Sequence, residues 1–479
     1  MTQETYDNRW KALAVLGIAY LMVVLDVAIV NVALPSIQTD LGFAPEDLQW
    51  VVSGYALTFG GFLLLGGRAG DLLGRRMIFM IGLAAFAAFS LLAGLATTPG
   101  MLIGARLLQG AAGAILSPSV FSITSVLFKE GAERNKALGI LGGIAGSGAA
   151  IGVLMGGVLT QYLGWEWIFF VNVPIGLAAL AFVPRYVTES RADGLTRHFD
   201  TAGAVTVTGS LMALVYGLTQ STNNGWTSVQ TVGSLAASAV LMAAFLWIES
   251  RSRSPLVPLG FFRRRTPTAA NVIGLGLGTI TFGTFFLLSL YMQQVLGFSA
   301  IKTGVAYLAV ALTAVVSSGV AQALVTRVGV KPILAVGMGL LAGGLAYFTQ
   351  VSVGGSYVAD LLPGFLLIGV GLGFAFVPVS IAALAGATGK DAGLASGLIN
   401  TSQQIGGAIG LAVLATVSTT RTENLLAKGT DQATALTSGF QIAFWVGVGL
   451  AVASLIATLV ALRGKDLQQV SGEAAPVPA

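Results

Sequence analysis

Leu25-Asp26-Val27-Ala28-Ile29-Val30-Asn31-Val32-Ala33-Leu34-Pro35 decides the fold, because a carboxylate stands inside an apolar run that covers 12–34. A helix of that length crosses the hydrocarbon of a bilayer. An ionisable side chain at bilayer depth is costly and marks an ion or substrate path. Working outward, the next charge at such depth is Arg106, inside the apolar stretch 100–125. The remaining charges fall in or beside short connections between apolar stretches.

Composition agrees with a membrane protein. Of 479 residues, 55% are hydrophobic and 9% charged, too few charges to clothe a soluble domain of this size. Apolar stretches long enough to span number fourteen, from 12–34 and 48–68 through 201–220 and 230–248 to 438–461. The 64 glycines suit membrane helices, whose backbones approach closely across small residues. With no cysteine and one histidine, His198, beside a connection, neither a thiolate nor a metal centre is expected. The net charge of +5 carries no message about nucleic acid, because the basic residues sort by membrane side.

With both termini placed in the cytoplasm, only Lys302, Arg421 and Lys428 of the 25 Lys and Arg face outward, and Arg106 lies within a span. The positive-inside rule therefore assigns both ends to the cytoplasm and requires an even number of spans. The first apolar run is too long for a signal-peptide core and is expected to be retained.

Internal matches divide the chain. Leu41-Gly42-Phe43 recurs as Leu296-Gly297-Phe298, and Gly74 and Arg76 match Gly329 and Lys331 at the same spacing. Gly104, Gly113 and Pro118 match Gly364, Gly373 and Pro378, while Gly139, Gly148 and Gly152 match Gly397, Gly406 and Gly410. Three ordered sets at near-equal spacing point to duplicated halves. The expected architecture is an all-α integral membrane protein. It has an N-terminal six-helix half over 1–197, two inserted helices over 198–254, a C-terminal six-helix half over 255–465 and a disordered cytoplasmic tail over 466–479. Asp26 aligns with Thr281 and Arg106 with Leu366, so both intramembrane charges belong to the first half.

Four motifs carry the chemistry. Gly67, Asp71, Gly74, Arg75 and Arg76 form a tight basic turn after the second span, where Asp71 and Arg75 could pair across helix ends; an ordinary positive-inside loop is the plainer use. Arg106, Gln109, Gly110 and Gly113 share one helix face, which lets a cation approach a helix carrying a carboxylate; an Arg held by backbone carbonyls alone is the alternative. Gly139, Gly148, Gly152, Gly156 and Gly157 make a packing face on the fifth span. A fourth stretch, Trp165-Glu166-Trp167-Ile168-Phe169-Phe170-Val171-Asn172-Val173-Pro174-Ile175-Gly176, enters the sixth. Asn31, Tyr55, Gln109, Tyr291, Gln294, Asn400, Gln403 and Gln404 are candidate cavity residues, with interhelical hydrogen bonding the competing use.

These motifs resemble those of the major facilitator superfamily. The turn is similar to its motif A, G-x-x-x-D-x-x-G-R-R, and Arg106-Leu107-Leu108-Gln109-Gly110 to its R-x-x-Q-G motif B. The fifth span is similar to antiporter motif C, with Val153 where that motif has proline. The first-span and Trp165–Gly176 stretches resemble signatures of the fourteen-span drug:proton antiporter family, with Glu166 where arginine is usual. The resemblance covers essentially the whole chain. It implies the major facilitator fold with fourteen transmembrane helices, proton-coupled export of multiple amphipathic drugs by alternating access, a motif A latch on the cytoplasmic side, and no cofactor beyond the proton gradient. The resemblance implies that Asp26 and Arg106, the two charges at bilayer depth, form the proton-coupling pair.

The expected setting is the plasma (inner) membrane, with small monovalent or neutral amphipaths, protons and lipid as partners, no nucleic acid, and a functional monomer. Two rivals stand beside this reading: a dedicated exporter of a single endogenous metabolite, antibiotic or lipid, and a non-transporting receptor or channel subunit. No convergent nucleophile and base appear, so an enzyme is not expected.

Overall fold

Inside a membrane an unbroken apolar stretch of about 20 residues satisfies its own backbone as a helix. The computed structural model describes residues 3–45, 47–128, 132–191, 200–252, 255–257, 259–385 and 390–462. No strand occurs among them. In order, the helices are α1 (Gln3–Leu41), α2 (Trp50–Leu73), α3 (Arg75–Gly94), α4 (Pro99–Leu127), α5 (Ala132–Tyr162), the single turn α6 (Trp167–Phe170), α7 (Asn172–Tyr186), α8 (Thr201–Asn224) and α9 (Val229–Arg251). There follow α10 (Arg265–Leu290), α11 (Ala300–Val328), α12 (Val330–Phe348), α13 (Leu362–Ala383), α14 (Lys390–Leu426) and α15 (Gln432–Ala461).

Eleven described helices are long and apolar enough to cross a membrane, and Trp50–Leu63 and Ala150–Tyr162 are shorter apolar stretches. Helix α14 has the length but interrupts its apolar run with Asn400, Gln403 and Gln404. Side-chain caps start several helices: Thr98 accepts from the Met101 N–H, Asp200 from Gly203 and Ser228 from Thr231. At α15 the Thr434 N–H donates to Asp431 and holds that exposed carboxyl below its ordinary range.

The chain packs as two compact units, Met1–Leu256 with Met292–Leu308, and Val257–Tyr291 with Ala309–Ala479. The boundary falls where α10 passes into a π-helical turn, Tyr291–Val295. In the first unit α1 packs on α5, α4 on α2 and α3, and α7 on α1 and α3. Leu16, Met22, Phe79, Phe86, Leu116 and Val120 fill the space between them. The inserted pair α8 and α9 belongs to this unit through α2, where the buried Gln49 Nε2 donates to Thr219 Oγ1 at 2.9 Å. In the second unit α10 packs on α14 and α15, and α12 on α13 and α15.

The glycines matched in sequence do matching work. Gly42 and Gly297 both take left-handed backbone, φ 67° and 65°, and end a helix. The following residue folds back in each case, Phe43 N–H to Gln38 O and Phe298 N–H to Met292 O. In α5, a Cβ on Gly148 or Gly152 would lie within 3 Å of Val24 or Ala28 of α1; in α14, one on Gly406 or Gly410 would meet Leu275 or Thr279 of α10. Gly152→Leu should therefore force α1 from α5 and destabilise the protein by about 1–3 kcal/mol, the ordinary scale of overpacking. A melting temperature in detergent equal to that of the native chain would show the contact to be slack.

Candidate functional site

The site is built by close helix approach in the first unit. Gly110 sits against the Tyr55 carbonyl, and Gly113 against the Phe59 ring and the Tyr55 hydroxyl, so α4 lies almost on α2. That approach delivers Arg106 onto α2: its Nε donates to the Val51 carbonyl at 3.0 Å and its guanidinium lies 4.4 Å from the Tyr55 ring centroid. The Phe169 ring is on hand at 5.5 Å. Arg106 is 1% exposed and Asp26 fully buried.

Arg106 NH1 donates to Asp26 Oδ2 at 2.6 Å and to Gln109 Oε1 at 2.7 Å. The other carboxylate oxygen, Oδ1, accepts from Gln109 Nε2 at 2.8 Å and from Asn172 Nδ2 at 3.0 Å. Asn172, the first residue of α7, also donates to Ser90 Oγ, which in turn donates to the Phe169 carbonyl. Three donors from two helices thus converge on one acid. Gln109 Oε1 already accepts from Arg106, so a proton on Asp26 would find donors opposite it. The arrangement is that of a carboxylate, and adding a proton must rearrange it.

The structure brings Asp26, Arg106, Gln109 and Tyr55 together. Neither Asn172 nor Ser90 was singled out from sequence; Asn172 lay within a quoted motif without a role, and a lone mid-helix serine gives no signal. The Tyr55 hydroxyl is buried without a hydrogen-bond partner among the described residues. Asn31 donates its amide to its own helix at the Val27 carbonyl, and Gln294 reaches Gln38 at 2.8 Å. In the second unit, Tyr291 donates to the Ser352 carbonyl and Asn400 to the Ser396 carbonyl, while half-buried Gln403 and Gln404 lie on α14. The Gln403 backbone packs against Gly278 of α10. Thr281 donates to its own helix at Leu277.

At the turn after α2, Gly74 takes φ 129° and Gly67 faces Pro118. The Asp71 side chain, the surroundings of Gly139, His198 and the tail 466–479 lie outside the described residues. Glu189, unremarked in the sequence, caps α3 by accepting from the Arg76 and Met77 N–H groups at 3.0 and 3.1 Å. Arg76 Nε lies 3.9 Å from the same carboxylate, and the Arg75 N–H donates to the Ser190 carbonyl. Along α5, Gly156 meets Ile29 of α1, and Gly157 and the Val153 carbonyl abut Ala300 and Gly304 of the segment that completes this unit. Val153→Pro would place a ring and a missing N–H at that seam. We expect altered turnover or leak with nearly unchanged ligand affinity; unaltered transport kinetics would make the proline dispensable.

A bundle of long apolar helices that buries an ion pair at the depth of its spans is the architecture of a membrane carrier. The chain belongs to the Major Facilitator Superfamily, whose family model matches residues 16–411. It is 39% identical to the puromycin resistance protein of Streptomyces alboniger, over 95% of this chain and 90% of that protein. It is also 39% identical to the cephamycin export protein CmcT of Amycolatopsis lactamdurans, over 85% and 84%. The multidrug resistance protein Stp of Mycobacterium tuberculosis is 34% identical over 86% and 76%. Among solved structures, the nucleoside transporter NupG shares the fold with a TM-score of 0.65 at 13% identity, covering 94% of this chain and all of that one. An inward-facing bacterial homologue of the lysosomal transporter Spinster does so at 0.67 and 14%, over 98% and 99%.

Proposed function

We propose that the chain is a proton-coupled exporter of amphipathic compounds, a fourteen-span drug:proton antiporter working by alternating access. It sits in the plasma membrane with both termini cytoplasmic, acts as a monomer and draws on the proton gradient without a cofactor. The observation that carries this reading is the Asp26 cluster. Asp26 is the proton carrier: ionised, it is held by Arg106, Gln109 and Asn172. A proton removes its charge and weakens all three bonds, while Arg106 keeps the Val51 carbonyl, Gln109 and the Tyr55 face. A cationic substrate that approaches the carboxylate competes with the proton for the same charge. The turn at Gly67, Asp71, Gly74, Arg75 and Arg76 acts as the cytoplasmic gate, and relatives named for resistance and export support the outward direction.

Expression in an efflux-deficient host tests the cargo: tolerance should rise toward several unrelated lipophilic cations and neutral amphipaths. A rise toward one chemical class alone would select the second reading, a dedicated exporter, which the name of the cephamycin relative favours.

Charge selectivity follows from the single acid. Asp360 already accepts from the Ser356 N–H and belongs to the second unit, and Thr281 offers no charge there. A divalent cation opposite one buried carboxylate would keep an uncompensated charge. Ethidium-like monocations should leave loaded cells much faster than bis-quaternary compounds of similar size. Equal rates would mean that a second acid takes part.

A further inference from the structure

Where α1 ends, the first unit carries an open cavity of about 820 Å3, within the range of small-molecule sites. Its wall includes Asp40, Glu166, Thr160, Trp165, Phe298 and Gln293, and no Lys or Arg. Asp40 Oδ2 accepts from the Trp165 Nε1–H at 2.8 Å, which leaves Oδ1 open. The half-buried Glu166 carboxylate has no hydrogen-bond or ion-pair partner among the described residues. Thr160 is only 9% exposed, yet its Oγ1 has no partner, although a helical threonine can usually turn to the carbonyl one turn back. Two carboxylates, an orphaned hydroxyl and aromatic surface thus share one cavity.

The local charge selects the ligand. Asp40 and Glu166 supply two negative charges, and Lys302, whose Nζ lies 3.7 Å from the Phe298 ring centroid, supplies one positive charge beside the cavity. One negative charge is left over. Lys302 also shows that the Phe298 ring accepts an ammonium on its face. An anion would face the carboxylates, and an inorganic ion would leave the half-buried apolar wall at Pro35 and Phe298 unused. We propose that this cavity is a binding site for an organic monocation with an aromatic or alkyl body, separate from the Asp26 cluster. At 1.5 Å per residue, Asp40 is roughly 20 Å along α1 from Asp26. The two sites should therefore bind independently, and this proposal does not depend on proton coupling.

Tetraphenylphosphonium binding to the purified full-length protein, measured by titration calorimetry, tests it. Asp26→Asn protein should still bind the probe. Adding Asp40→Asn, which keeps an acceptor for Trp165, and Glu166→Gln should weaken binding by about tenfold or more, as expected for removing charge beside a partly desolvated cation. Glu166→Asp should restore most of it. If the combined variant unfolds, Glu166→Gln alone, at a half-buried position, reads the same contact. Binding indifferent to Glu166 and Asp40, or absent from Asp26→Asn protein, would overturn the proposal whatever the transport assays show.

Discussion

Asp26→Asn is expected to reduce export driven by a pH gradient to the background of an empty membrane while leaving a folded protein. The amide matches the carboxyl in size, so the packing of α1 against α4 and α7 survives. Its oxygen can still accept from Arg106 or Gln109, but its NH2 would face donors on both neighbours. Asn172 can relieve this by turning its own amide, so the stability loss should stay within about 1–3 kcal/mol, the cost of one imperfectly met buried group. What cannot be relieved is the loss of a titratable proton. Drug susceptibility in an efflux-deficient host, paired with protein abundance in the membrane, reads both effects. Native resistance from the variant would remove Asp26 from the coupling mechanism.

Arg106→Leu should also abolish transport, at a larger cost in stability. Five contacts end at this side chain: Asp26, Gln109, the Val51 carbonyl and the Tyr55 and Phe169 rings. Removing one member of a buried ion pair costs about 3–5 kcal/mol when the other charge stays, because that charge is left in a low-dielectric site. Removing both charges is cheaper than removing one. Purified Asp26→Asn/Arg106→Leu protein should therefore melt above Arg106→Leu protein at neutral pH, although neither transports. Leu366, matched to Arg106 by the repeat, is 44% exposed where Arg106 is 1% exposed, so the two positions share a register but not an environment. Normal transport by Arg106→Leu would reduce the guanidinium to a packing element.

Much of this was legible in the sequence because the informative residues are rare against an apolar background. One acid and one guanidinium at bilayer depth stand out, and the spacing of Arg106 and Gln109 places them on one face. The glycine matches also carried real geometry, as the left-handed Gly42 and Gly297 show. Other contacts were invisible because they depend on helix packing between distant segments. Asn172 meets Asp26 across 146 residues, and nothing local to α7 announces an acid opposite its first residue. Glu189 caps α3 from beyond the end of α7, where its sequence reads as an ordinary polar connection. The packing of Met292–Leu308 with the first unit was likewise hidden, since the repeat assigns that segment to the second half. Fourteen apolar stretches were read from the sequence; eleven of the described helices are long and apolar enough to cross a membrane, and α2 and α5 carry shorter apolar stretches, Trp50–Leu63 and Ala150–Tyr162.

Proton movement coupled to substrate tests the central claim most directly. Purified protein would be reconstituted in proteoliposomes with a pH-sensitive dye in the lumen and no imposed pH gradient. A lipophilic monocation that the native chain exports in cells would then be added to one side. The account predicts substrate-dependent acidification or alkalinisation of the lumen with native protein and none with Asp26→Asn protein, although a melting assay shows both folded at the assay temperature. Substrate-driven proton flux that persists in Asp26→Asn protein would contradict it.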